Sequence, residues 1–184
     1  LQFNALIEKQ FRNTLATQDQ QQDFLSMVKA HQGLLHKICN LYESNAGDRE
    51  DLFQEMVLQL WKSFNSFRHE AKISTWIYRI ALNTALSTIR KNKQRVPVSY
   101  PEWIPYEASD EKQDRVQEEQ FRFMHQAIAR LTEIERALVL LYLEDKSYEE
   151  MEEVMGISSG ALRVKMNRIK EKLRQQSKNF EYGT

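Results

Sequence analysis

Glycine and proline are scarce in this sequence, five and three in 184 residues, which argues for long helices rather than hairpins and turns. Long hydrophobic runs are missing: nothing approaches the roughly 18 consecutive apolar residues of a membrane span. No stretch has the charged start, apolar middle and small-residue cleavage site of a secretory leader. Cysteine occurs once, at Cys39, so no internal disulfide can form, and a reducing, cytoplasmic home is expected. His36 lies three residues before Cys39, a spacing that two metal ligands on a helix could use, but no further Cys or close His completes a site. Ordinary packing is therefore expected for both. Glycine-rich phosphate loops, nucleophile elbows and carboxylate pairs in a catalytic spacing are also lacking, so no enzyme is expected.

Net charge is absent as well, but its distribution is uneven. Arg90, Lys91, Lys93 and Arg95 form one cluster without an acid, and Arg163 to Lys178 holds seven bases against the single acid Glu171. The acids gather elsewhere, in 107–119 and 144–153. Two separated basic clusters on a neutral chain suggest two local contacts with a polyanion. Solvated helix faces are the competing reading. Hydrophobic residues make up 41% of the chain, enough for a real core.

Helical spacing begins in 20–43, where Phe24, Val28, Leu34, Leu35, Ile38, Leu41 and Tyr42 recur, with Gly33 a weak point. After "SNAGD", Asp48 is the expected N-cap of the next helix, whose first turn is acidic. There Leu52, Met56 and Leu60 repeat every four residues, and Phe53, Val57 and Trp61 do so one step round. That apolar face is wider than one partner helix needs, so one edge is either deep in a bundle or a docking face for another protein. Ser74 or Thr75 is expected to start a further helix running to about Arg90. From 96 to 117, Pro97, Pro101 and Pro105 precede a run of acids, and no helix or strand pattern survives. Some twenty extended residues would span on the order of 60 Å. The chain thus reads as two helical domains, 1–95 and 118–184, joined by a flexible acidic tether at 96–117.

The second half is punctuated. Thr132 with Glu135, and Ser147 with Glu150, form two capping boxes. Gly156 suits a left-handed helix end, Ile157 would plug the corner, and Ser158 or Ser159 would cap the last helix. Helix, tight glycine turn and basic helix make a helix-turn-helix pattern. On that last helix Leu162, Met166, Ile169 and Leu173 form a narrow apolar stripe. Opposite stand Gly160, Arg163, Val164 and Asn167, flanked by Arg168 and Arg174. Arg can pair bidentately with guanine and Asn with adenine in a major groove, and a helix N-terminus with Ser residues suits phosphate.

In the helix that opens with "STWIYRIALNT", Trp76, Arg79, Asn83, Ser87 and Arg90 fall within about 80° of arc. Ile77, Tyr78, Ala81, Leu82, Ala85 and Ile89 take the other side. An aromatic among Arg, Asn and Ser suits unpaired bases, with the ring stacking and the cations holding the backbone. The alternative is that Trp76 packs under the adjoining loop or on the first helix. Spacing alone leaves both open.

The stretch "DREDLFQEMVLQLWKSFNSFRHEAKISTWIYRIALNTALSTIRKNKQR" resembles region 2 of the extracytoplasmic-function (ECF) group of bacterial RNA polymerase sigma factors. "LTEIERALVLLYLEDKSYEEMEEVMGISSGALRVKMNRIKEKLR" resembles their region 4. The resemblance implies an all-α fold of two small helical domains, no enzyme activity, no cofactor and no small-molecule substrate. It implies core RNA polymerase and promoter DNA as partners, and commonly an anti-sigma factor, often membrane-tethered. By position, Asp51, Gln54, Glu55, Leu58 and Trp61 would grip core polymerase. Phe67, Arg68, His69, Lys72, Ser74, Thr75, Trp76, Arg79, Asn83 and Arg90 would meet the melted −10 element. Ser158, Ser159, Gly160, Arg163, Val164, Asn167 and Arg168 would meet the duplex −35 element. The sequence departs from the group's pattern at His69-Glu70, where Gly-Glu or Gly-Asp is frequent, and at Ala161, which replaces a hydroxyl residue. A stand-alone helix-turn-helix regulator is the runner-up reading.

Overall fold

The computed structural model describes residues 18–68, 70–93, 124 and 126–181. The expected tether at 96–117 lies outside them, as does His69. Among the described residues every regular element is a helix: α1 (Gln18–Tyr42), α2 (Ala46–Phe64), α3 (Ile73–Lys93), α4 (Glu133–Leu143), α5 (Tyr148–Met155) and α6 (Ser159–Glu181). None is long and apolar enough to cross a membrane.

The first three helices pack on one another, and their apolar periodicity explains how. Phe24, Val28, Leu35 and Ile38 of α1 are buried against Leu52, Phe53, Met56, Val57 and Leu60 of α2 and Ile77, Tyr78, Ala81, Leu82 and Ala85 of α3. The broad face of α2 is therefore largely filled by its neighbours, and α1 runs unbroken through Gly33. Two helix starts differ from expectation. Asn45, not Asp48, caps α2, its side chain accepting from the Gly47 N–H at 2.8 Å, while Asp48 falls in the first turn, where its charge still meets the helix dipole. Helix α3 begins at Ile73: the Trp76 N–H donates to the Lys72 carbonyl at 3.1 Å. Neither Ser74 nor Thr75 is free to cap, because the Ser74 hydroxyl accepts from Lys146 Nζ at 3.1 Å and Thr75 is buried.

His36 and Cys39 part company. His36 is exposed and stacks on Phe53, with ring centroids 4.7 Å apart, whereas Cys39 is in the core. Burial pushes the Cys39 thiol up to about 12, so it stays protonated and packs as a small hydrophobe.

Both capping boxes of the second half are present, Thr132 with Glu135 on α4 and Ser147 with Glu150 on α5. Gly156 ends α5 in the left-handed conformation (φ 66°, ψ 24°), and Ile157 packs on the core at the corner. Ser158 precedes α6, its carbonyl accepting the Leu162 N–H at 2.9 Å. Leu162, Met166 and Ile169 are buried, with Leu173 partly so.

The two halves share one continuous core, with α4 and α5 both packed on α3. Polar contacts stitch the seam. Tyr42 Oη donates to the Glu133 carbonyl at 2.7 Å, and Arg136 Nη1 donates to the Leu41 carbonyl at 3.1 Å with its guanidinium 5.1 Å from the Tyr42 ring centre. Lys37 pairs with Glu144 at 2.5 Å and Lys72 with Glu150 at 2.9 Å.

Candidate nucleic-acid and polymerase surfaces

On α3 the buried and exposed faces separate as the wheel requires. Arg79, Asn83, Ser87 and Arg90 are exposed, while Ile77, Tyr78, Ala81, Leu82, Ala85 and Ile89 are buried. Trp76 lies between. It is half-buried, touches the core, and its ring meets Phe67 of the preceding loop with centroids 4.9 Å apart and planes at 40°. The ring is thus anchored by the loop at the border of the polar stripe. Arg68 is exposed beside this pair, and Lys72 is exposed but engaged by Glu150. Thr75 is 2% exposed and its buried hydroxyl has no hydrogen-bond partner, so its side chain lies beneath the surface rather than on it.

On α6, Gly160, Arg163, Val164, Asn167 and Arg168 are all exposed opposite the buried stripe. Val164 is 52% exposed, an apolar group on a cationic face, which suits a thymine methyl. The helix N-terminus is already used: the Ser159 N–H donates to Glu152 Oε2 at 2.8 Å. Arg163 is held by two residues of α5, its Nη2 3.3 Å from Glu149 Oε1 and its guanidinium 4.9 Å from the centre of the Tyr148 ring. Tyr148, Glu149 and Glu152 are the residues that sequence reasoning missed. Their spacing from α6 crosses the Gly156 turn, so no single helical wheel displays it. Lys172–Glu135 and Lys170–Tyr142 contacts tie α6 further to α4.

On α2, Asp51 is exposed and Gln54, Glu55, Leu58 and Trp61 are half-buried along one edge. Glu55 Oε1 accepts from Gln59 Nε2 at 2.7 Å. Trp61 also serves the fold, meeting Phe24 edge-on at 4.9 Å. The edge combines carboxylate, amide and apolar groups spaced three and four apart, as a surface that receives another helix requires.

Comparison with known proteins gives two family matches. Residues 27–95 match the family model "Sigma-70 region 2" and residues 124–173 match "Sigma-70, region 4". The ECF RNA polymerase sigma factor SigW of Bacillus subtilis is 26% identical over 171 residues, covering 87% of this chain and 91% of that protein. The ECF RNA polymerase sigma-E factor of Escherichia coli K12 is 29% identical over 149 residues, 74% of this chain and 78% of that one. The fold resembles the sigma factor RpoE of Bartonella quintana, solved with the anti-sigma factor NepR, at a TM-score of 0.66 and 20% identity over 88% of this chain and 98% of the other. CnrH, solved with the cytosolic domain of CnrY, gives a TM-score of 0.59 at 19% identity over 84% and 87%. The region 2 and region 4 matches follow one another in sequence on an all-helical fold, and the chain belongs to the extracytoplasmic-function group of sigma-70 RNA polymerase sigma factors.

Proposed function

We propose that this sigma factor docks core RNA polymerase through the α2 edge at Asp51, Gln54, Glu55, Leu58 and Trp61, reads the −35 duplex with Arg163, Val164, Asn167 and Arg168 of α6, and captures the melted −10 strand along Arg68, Lys72, Trp76, Arg79, Asn83 and Arg90. One observation carries the reading: α3 and α6 each bury one complete face and expose a polar, cationic one. A stand-alone regulator needs only the second of these faces. The chain works in the cytoplasm and makes or breaks no bond. It couples duplex reading to strand capture, and the few kcal/mol lost in unstacking each step are offset by stacking worth about 1–3 kcal/mol per base and by cation contacts. Because the similar RpoE and CnrH structures hold NepR and CnrY, we extend that class of protein partner, an anti-sigma factor, to this chain.

Initiation reconstituted from core polymerase, this chain and a genomic library tests the reading, with start sites sharing −10 and −35 elements as the expected result. Trp76→Ala impairs open-complex formation more than −35 binding. Arg163→Gln relaxes preference at one −35 position by about 1–3 kcal/mol. Tight dimeric binding to a palindrome without initiation would overturn it.

A further inference from the structure

The polar side chains on the outer face of α6 are held unequally. Arg163 Nη2 lies 3.3 Å from Glu149 Oε1, and the guanidinium carbon sits over the Tyr148 ring, 4.9 Å from its centre. The side chains of Asn167 and Arg168, exposed on the same face, have no hydrogen bond, ion pair or ring contact among the described residues. An exposed ion pair alone would restrain Arg163 little. The ring adds a second restraint from another direction, because a guanidinium is drawn to an aromatic face.

The two partners are themselves fixed. Tyr148 is half-buried and packed on the core. Glu149 stands in the first turn of α5, whose start is set by the Ser147 cap. One turn further on, Glu152 accepts from the Ser159 N–H at 2.8 Å, and Gly156 closes the corner, so the turn sets how far Glu149 lies from α6. Its own backbone N–H, then the Ser147 side chain and Arg163, hold the Glu149 carboxyl below the usual carboxylate range, so it is charged at neutral pH. Only the Nη2 end of Arg163 is engaged, which leaves donors for a bidentate contact with guanine O6 and N7. A side chain ordered in advance loses less freedom when it binds. The carboxylate also repels a phosphate that would otherwise draw the guanidinium to the DNA backbone, whereas the neutral acceptors of a base edge meet no such repulsion.

Resting on the functional reading above, we propose that Tyr148 and Glu149 are specificity-determining positioning residues for the −35 element: they hold the Arg163 fork toward a base edge and away from phosphate. Their effect is confined to the base pair that Arg163 reads. The positions met by Asn167 and Arg168, which neither residue touches, do not depend on them.

Holoenzyme reconstituted from core polymerase and the full chain tests this, on promoters in which each −35 base pair is replaced in turn. Arg163→Gln marks the position that Arg163 reads. At that position Glu149→Gln and Tyr148→Leu are each expected to lower base preference about two- to tenfold, with preference elsewhere in the element retained. Tyr148→Phe keeps a ring beside the guanidinium and should restore the preference lost in Tyr148→Leu. Glu153→Gln removes the same charge from another exposed place on α5; it reports the general electrostatic effect and should leave base preference intact. In an Arg163→Gln background Glu149→Gln should have no further effect, as expected of a residue that acts through another. A loss spread evenly over the element, an additive loss in the double variant, or no loss at the marked position overturns the positioning role and leaves the functional reading standing. Should Arg163→Gln alter preference at no position, the functional reading of that residue falls, and the positioning role with it.

Discussion

The two halves of this sigma factor reach a buried core by different means. The first uses length: α1, α2 and α3 have 25, 19 and 21 residues, and each carries an apolar face broad enough to meet two neighbours. The second uses punctuation, because α4 and α5 have only 11 and 8 residues. Isolated helices shorter than about 12–15 residues are marginal in water, so these two need their ends defined. Two capping boxes and a left-handed Gly156 define them. Where precision is needed, at the angle between α5 and the recognition helix, it is the turn and not the width of a face that provides it.

Substitutions can break or sharpen this contrast. Leu60 of α2 has no exposed surface, and Leu60→Ala should cost about 2–5 kcal/mol in a urea unfolding experiment. Gly156→Ala meets no atom within 4 Å of the added Cβ, so its cost is conformational, about 1–2 kcal/mol for the left-handed backbone, and −35 binding should fall as the turn shifts. Ser147→Ala removes one cap and should cost about 1 kcal/mol. The contrast fails if Ser147→Ala costs more than Leu60→Ala.

The smallest effect is that of pH. The Lys72 hydrogen bond, then the Ser147 N–H, hold the Glu150 carboxyl below the usual carboxylate range. For Glu135 burial pushes upward, but Lys172 and the Thr132 N–H outweigh it. A carboxyl depressed in the folded state contributes stability above its unfolded value of 4.5, and that contribution is lost as pH falls through the folded one. Far-ultraviolet circular dichroism between about pH 5 and 3 should show the caps of α4 and α5 weakening before the α1–α3 core. At the alkaline end burial raises Tyr42, with Arg136 opposing, so its contribution is present below 10 and lost as pH rises further.

Much of this was legible from residue order, because the signals are local. The stripe Leu162, Met166, Ile169, the two capping boxes and Gly156 lie where periodicity and end chemistry put them. Helix starts were less legible where two residues competed. Asn45 prevailed over Asp48 because its side chain reaches the Gly47 N–H, and Ser74 is occupied by Lys146 from the other half. For Trp76 the wheel posed an alternative, and the ring proved half-buried against Phe67 at the edge of the Arg79–Asn83 stripe.

By itself, then, the sequence determined the helical nature of α1 to α6, their buried faces and the helix-turn-helix corner, since each depends on residues within a few positions of one another. Only the tertiary structure decided how the halves meet. Lys72 and Glu150 are 78 residues apart and Lys37 and Glu144 are 107 apart, so no local pattern pairs them. It takes the packing of α5 on α3 to bring Lys72, just ahead of α3, against a carboxylate of α5.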